Sequence, residues 1–174
     1  MGRVALGRVE AGAMIAATAV AVVVVDQASK AAIRAALAPL STVPVIDGFL
    51  NITHVRNLGA AFGIMPGRQV MFVVTSALVI VGIGVFASFG EVRRRTSAFA
   101  LGLVAGGALG NLIDRVSGDR RVTDMLEIQF RHRDVFPVFN VADSAIVVGV
   151  ACLAFLLLIE KDPDQVDDGD AAAA

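Results

Sequence analysis

Three aspartates stand beside long apolar runs in this chain: Asp114, Asp124 and Asp143. They lie between Gly106 and Ser144, a polar stretch that opens at the end of one apolar segment and closes at the start of another. Two carboxylates placed close together share one proton, and their pKa values belong to the pair. Such a pair suits aspartyl peptide hydrolysis. The ionised member takes a proton from water, and the protonated member polarises the scissile carbonyl.

Local context suggests which aspartate does which. Val122–Phe130 has a period close to two: Val122, Leu126, Ile128 and Phe130 share one face, and Thr123, Glu127 and Gln129 the other. Asp124 falls on the apolar face, where lost hydration raises a carboxylate pKa. A break in the binary pattern is where function is expected. Asp143 follows Asn140 by three residues at the start of an apolar run. Asn140 fits an N-cap and Asp143 the far partner of a capping box, with Asp in place of Glu or Gln. An acid there also suits the helix dipole. Asp143 is therefore expected as base and Asp124 as acid, although capping alone also explains Asp143. Asp114 is the rival member. It adjoins Arg115 and lies one turn from Asn111, so an internal salt bridge accounts for it as well. No His-Glu-x-x-His helix, Gly-x-Ser-x-Gly elbow or phosphate-cradling glycine loop offers another chemistry. No metal and no cofactor are expected.

The elements that must position these groups are mostly apolar. With 56% of residues hydrophobic and a mean hydropathy of +0.75, the chain exceeds the roughly 45–50% apolar content of soluble domains. It reads as a membrane protein. Val70 to Phe89 carries no charge, long enough as a helix to cross a hydrocarbon core of about 30 Å. Four spans are expected, at 11–36, 70–89, 98–114 and 141–159. The basic start with Arg3 and Arg8 also fits a cleavable signal peptide. Against that, the helical pattern runs on through Asp26-Gln27-Ala28-Ser29-Lys30. Asp26 and Lys30 share a helix face and can pair, either as an interfacial ion pair or as a brace beneath an active site. The third apolar run, Ala98 to Ile113, is short, and Gly102, Gly106 and Gly110 recur along it, a smooth stripe that lets membrane helices pack closely.

Between the first two spans, residues 38–67 are punctuated by proline and glycine, with a short strand pattern over Phe49–Val55. A small extracytoplasmic β element is expected there, and His54 is read as a surface or core histidine. Residues 1–160 read as a single membrane-embedded domain. Residues 161–174, with five aspartates and a terminal alanine run, read as a disordered acidic tail. A net charge of -1 points to no nucleic-acid partner, and the lone Cys152 excludes an internal disulfide. The positive-inside rule is divided: Arg93, Arg94 and Arg95 cluster in the turn between the second and third spans, while Arg56, Arg68, Arg115, Arg120, Arg121, Arg131 and Arg133 lie on the other side.

Five blocks, in order, resemble the lipoprotein signal peptidase (signal peptidase II) family: Asp26–Lys30, Asn57–Phe62, Gly106–Arg115, Val122–Met125 and Phe139–Ser144. The resemblance implies a multi-pass enzyme of the bacterial inner membrane with both termini in the cytoplasm and its site near the outer leaflet. It implies monomeric action, among membrane lipid, on diacylglyceryl-modified prolipoproteins, with cleavage just before the lipidated cysteine. Carried over by position, the dyad is Asp124 and Asp143. Asn57, Gly59, Ala60, Phe62, Asn111, Asp114, Arg115, Asn140 and Ala142 would line or brace the site, and Asp26 and Lys30 would support it from the first helix. Met125 departs from the family pattern, standing where an aromatic is commoner.

Two other classes fit parts of the sequence. A proton or ion relay would use Asp26, Lys30, Asp114 and Asp143, but it predicts charges deep within the spans, and here they gather at span ends. A non-catalytic assembly factor, in which Asp143 only caps a helix, predicts that Asp143→Asn is almost neutral, since Asn caps as well as Asp.

Overall fold

The computed structural model describes residues 6–57, 69–89, 92, 94–118 and 120–159. Its helices are α1 (Arg8–Ala36), α2 (Gln69–Phe89), α3 (Arg95–Val116) and α4 (Val141–Ile159). All four are long and apolar enough to cross a membrane, where a helix satisfies every backbone group internally. The expected spans lie within them, and α4 coincides with 141–159. The third differs from its apolar run: α3 extends over 22 residues. Asn111, Asp114 and Arg115 prolong it because their polar groups find partners inside the protein rather than in lipid.

Helix α3 is the hub, packing on α1, α2 and α4. Its glycines allow the close approach. A Cβ on Gly106 would stand 2.8 Å from the Ala19 carbonyl of α1, and one on Gly110 would stand 2.7 Å from Asp26 Oδ2. Gly107 faces the opposite way, against Ala142 and Ile146 of α4, and Gly149 of α4 meets the Ala100 carbonyl of α3 at 2.8 Å in the same sense. Helix α2 buries no residue and lies at the periphery. Near the start of α1, Ala11 and Ile15 join Val92 and Ala98 in a small apolar cluster.

Over the other end of the bundle lies a four-stranded antiparallel sheet, β1 (Thr42–Ile46), β2 (Leu50–Asn57), β3 (Val122–Phe130) and β4 (Arg133–Asp134), in that order. The β element is thus not confined to the first loop. The strand read over Phe49–Val55 is β2, and it pairs with β3 of the second loop, Asn51 opposite Glu127 and Asn57 opposite Val122. The Asn51 amide secures the join by donating to Glu127 Oε2 at 2.6 Å. His54 is buried, and its Nδ1 donates to the Leu37 carbonyl at 2.8 Å, tying β2 to the end of α1. Phe139 then bridges to β3: its carbonyl accepts the Met125 and Leu126 N–H groups at 2.9 and 2.8 Å. That bridge delivers Asn140, and with it the start of α4, to Asp124.

Candidate active site

Asp124 sits on the central strand β3 with only 3% of its surface exposed. Its Oδ1 accepts Asn140 Nδ2 at 2.6 Å and its Oδ2 accepts Asn57 Nδ2 at 3.1 Å. Burial pushes its carboxyl up to about 6, and the negative charge of Asp143 pushes the same way. The two amides and Lys30 act in the opposite direction but do not offset the lost hydration.

Asp143 is held by the capping box its spacing suggests. Its backbone N–H donates to Asn140 Oδ1 at 2.9 Å, and the Asn140 N–H donates back to Asp143 Oδ2 at 3.3 Å. The remaining oxygen, Oδ1, accepts Asn111 Nδ2 at 2.7 Å. Capping and a place in the site therefore coexist in one residue. Both carboxylates border a cavity of about 540 Å³, together with Asn57, Arg115, Phe136 and Val147. The cavity walls are predominantly apolar, so the two acids, Asn57, Arg115 and Ser144 are polar points in an otherwise greasy slot that can hold an extended apolar chain.

Behind the cavity lies a buried charged brace. Lys30 Nζ stands 2.8 Å from Asp26 Oδ2, 2.9 Å from Asp114 Oδ2 and 3.2 Å from Asn111 Oδ1. Gln27 Nε2 donates to Asp26, to the Gly110 carbonyl and to Asp114 Oδ1, at 3.1 to 3.2 Å. Asp26 Oδ1 accepts the Ala142 N–H at 3.0 Å, which fixes the first turn of α4 against α1. Asp114, the rival member of the dyad, has both oxygens engaged by Gln27 and Lys30 and does not border the cavity. Its surroundings are those of an internal ion pair.

The structure thus brings Asn57, Arg115, Asp124 and Asp143 to one cavity, with Asn111 and Asn140 between them and the brace of Asp26, Lys30 and Asp114. Ala142 is fully buried and contributes its backbone. Gly59, Ala60 and Phe62 lie outside the described residues, as does the tail 161–174. Gln27, Thr123 and Gly107 went unnoticed as site residues. A polar Gln27 in an apolar helix was a usable signal. Thr123 was not, because its contacts depend on the fold: its N–H donates to Asp114 Oδ2 at 3.4 Å and its hydroxyl accepts Arg34 Nη1 at 3.1 Å. Among the described residues no three His, Cys, Asp or Glu side chains gather as metal ligands.

Comparison with known proteins places the fold and the family. The family model described as Signal peptidase (SPase) II matches residues 18–159. A lipoprotein signal peptidase of Pelotomaculum thermopropionicum is 40% identical over 143 residues, 81% of this chain and 89% of that protein. One from Geobacter sulfurreducens is 42% identical over 144 residues, 79% of this chain and 87% of that protein. A solved bacterial membrane enzyme superposes with a TM-score of 0.76 at 32% identity, covering 96% of this chain and 99% of the other. On these grounds, the chain belongs to the signal peptidase II family of membrane peptidases.

Proposed function

We propose that this peptidase removes signal peptides from diacylglyceryl-modified bacterial prolipoproteins, cutting just before the lipidated cysteine with Asp124 and Asp143 as its dyad. The observation that carries the reading is the pair of carboxylates bordering one apolar cavity, with Asn140 donating to both, its side chain to Asp124 and its backbone N–H to Asp143. A water between the carboxylates loses a proton to Asp143 as its oxygen attacks the scissile carbonyl carbon. Asp124, protonated, donates to the carbonyl oxygen. The tetrahedral intermediate then collapses, the C–N bond breaks, and the proton taken by Asp143 passes to the leaving amine. The carbonyl re-forms and its proton returns to Asp124, so the second product is the new carboxyl terminus. Arg115, whose guanidinium stacks 5.2 Å from the Phe72 ring, offers a fixed positive charge at the cavity wall.

In this reading the enzyme is a monomer of the bacterial inner membrane with cytoplasmic termini. The sheet lies at the outer leaflet, where water reaches the dyad and the lipid-bearing substrate enters from the bilayer. The test is cleavage of a diacylglyceryl-modified prolipoprotein in liposomes by the parent and by folded Asp114→Asn, Asp124→Asn and Asp143→Asn, with a chelator in a parallel run. Near-complete loss in the Asp124 and Asp143 variants, without chelator sensitivity, is expected. Substantial turnover in either removes that residue from the chemistry. Loss confined to Asp114→Asn and Asp143→Asn moves the dyad to that pair.

A further inference from the structure

We propose that Lys30 is a positioning residue for this reaction, acting through the Asn111 amide on Asp143. The inference rests on the dyad reading above. Lys30 is fully buried and does not border the cavity, so it acts at one remove from substrate. An ammonium carries three donors and no acceptor. Here the three meet Asp26, Asp114 and Asn111.

That last contact has a consequence for the dyad. An asparagine amide can turn over, exchanging oxygen for NH2 in nearly the same space. Asn111 cannot do so without aiming its NH2 at the ammonium, donor against donor. Its oxygen is therefore held toward Lys30, and its NH2 must face Asp143 Oδ1 at 2.7 Å. Asn140 is locked in the same sense by a different obligate donor, the Asp143 backbone N–H at 2.9 Å on its Oδ1. Its NH2 is left for Asp124 Oδ1 at 2.6 Å and Asn111 Oδ1 at 3.1 Å. Asn111 Oδ1 thus accepts from Lys30 and Asn140 together. The two amides form one oriented set whose donors point at both carboxylates. A purely structural ion pair would be complete with Asp26, Lys30 and Asp114, and it would place no demand on which way Asn111 points.

The experiment is a double-mutant cycle on the full chain in liposomes, with kcat and KM for a diacylglyceryl-modified prolipoprotein measured for Lys30→Met, Asn111→Leu and the double variant. Each single change is expected to lower kcat by about tenfold to a hundredfold, the worth of a hydrogen bond to a charged group, with KM little altered. The double variant is expected to fall no further than the worse single, because Lys30 acts only through Asn111. Effects that multiply overturn the proposal, as does a parent-like kcat in Lys30→Met. Since Lys30→Met strands two buried carboxylates and threatens folding, Asn111→Asp is measured beside it. That variant keeps an acceptor for Lys30 and removes the donor to Asp143. A folded Asn111→Asp with the parent's kcat overturns the proposal, and one with greatly reduced kcat supports it when joined to the non-additive cycle. Asp124→Asn and Asp143→Asn separate the two failures. If either keeps its turnover, the dyad reading falls; if both lose it while the cycle is additive, only the role of Lys30 falls.

Discussion

Asn140 hydrogen-bonds Asp124 at 2.6 Å with the same side chain that caps the helix carrying Asp143. Its two roles can be separated by substitution. Asn140→Ala removes both, and should cost about 1 kcal/mol of stability for the cap together with most of the turnover. Asn140→Ser keeps a good cap, but one hydroxyl cannot accept the Asp143 N–H and also reach Asp124. Its thermal unfolding should return toward the parent's while kcat stays depressed by about tenfold or more, the worth of a charge-assisted hydrogen bond. Full turnover in Asn140→Ser would reduce Asn140 to a cap.

Asp124 gives the fold a dependence on pH that its neutral replacement lacks. Its carboxyl is raised from 3.8 to about 6, chiefly by burial. The folded state therefore holds the proton more tightly than the unfolded state does. This group's contribution is fully present below pH 3.8 and is lost as pH rises through about 6. The difference amounts to roughly 3 kcal/mol. Unfolding temperatures of the parent and of Asp124→Asn, measured between pH 4 and 8, should diverge in that direction, with the parent losing ground as pH rises. Parallel curves would contradict a desolvated Asp124.

Much of this arrangement could be read from local spacing. The Asn140–Asp143 box and the Asp26–Lys30 pair each depend on residues within one element, and each appears in the structure where spacing places it. The strand at Val122–Phe130 forms too, but its burial does not alternate: Val122, Thr123, Asp124 and Met125 are all buried under the elements packed on both faces, and Phe130 at the far end is exposed. What could not be read depends on how elements meet. The first-loop strand joins the second loop because β2 and β3 share a register, and only that register brings Asn57 to Asp124. Asp114 and Asp143 looked alike as acids at the ends of apolar runs. The rotation of α3 against α1 distinguishes them, turning Asp114 onto Lys30 and away from the cavity. Small residues set that rotation, and the stripe of Gly102, Gly106 and Gly110 concealed a second contact at Gly107, which faces α4.

Val147 lies one turn beyond Asp143 on α4 and borders the cavity without touching either carboxylate's hydrogen bonds. Val147→Trp puts a large ring into the slot. It should raise KM for a prolipoprotein substrate severalfold while changing kcat less, the pattern of lost binding rather than lost chemistry. A fall in kcat with KM unchanged would mean that substrate lies elsewhere.

Gly107 tests whether the distance between α3 and α4 sets the site. A Cβ added there would collide with the Ala142 carbonyl and stand 2.7 Å from Ile146 Cγ1 and 3.2 Å from the Ile146 backbone nitrogen. Backbone cannot swing aside as a flexible side chain can, so α4 itself must move, and Asp143 moves with it. Gly107→Ala is expected to cost about 1–3 kcal/mol or more through overpacking and to lower kcat in the fraction that folds. Gly82 and Gly84 of α2 are the controls, since an added Cβ at either meets nothing within 4 Å. Alanine there should be neutral, or stabilising by up to about 1 kcal/mol through helix propensity. Thermal unfolding and turnover of the three variants, side by side, decide the matter. A folded Gly107→Ala enzyme with the parent's kcat would show that the dyad tolerates a displaced α4, and that the sheet, through the Phe139 bridge and Asn140, is enough to place Asp143.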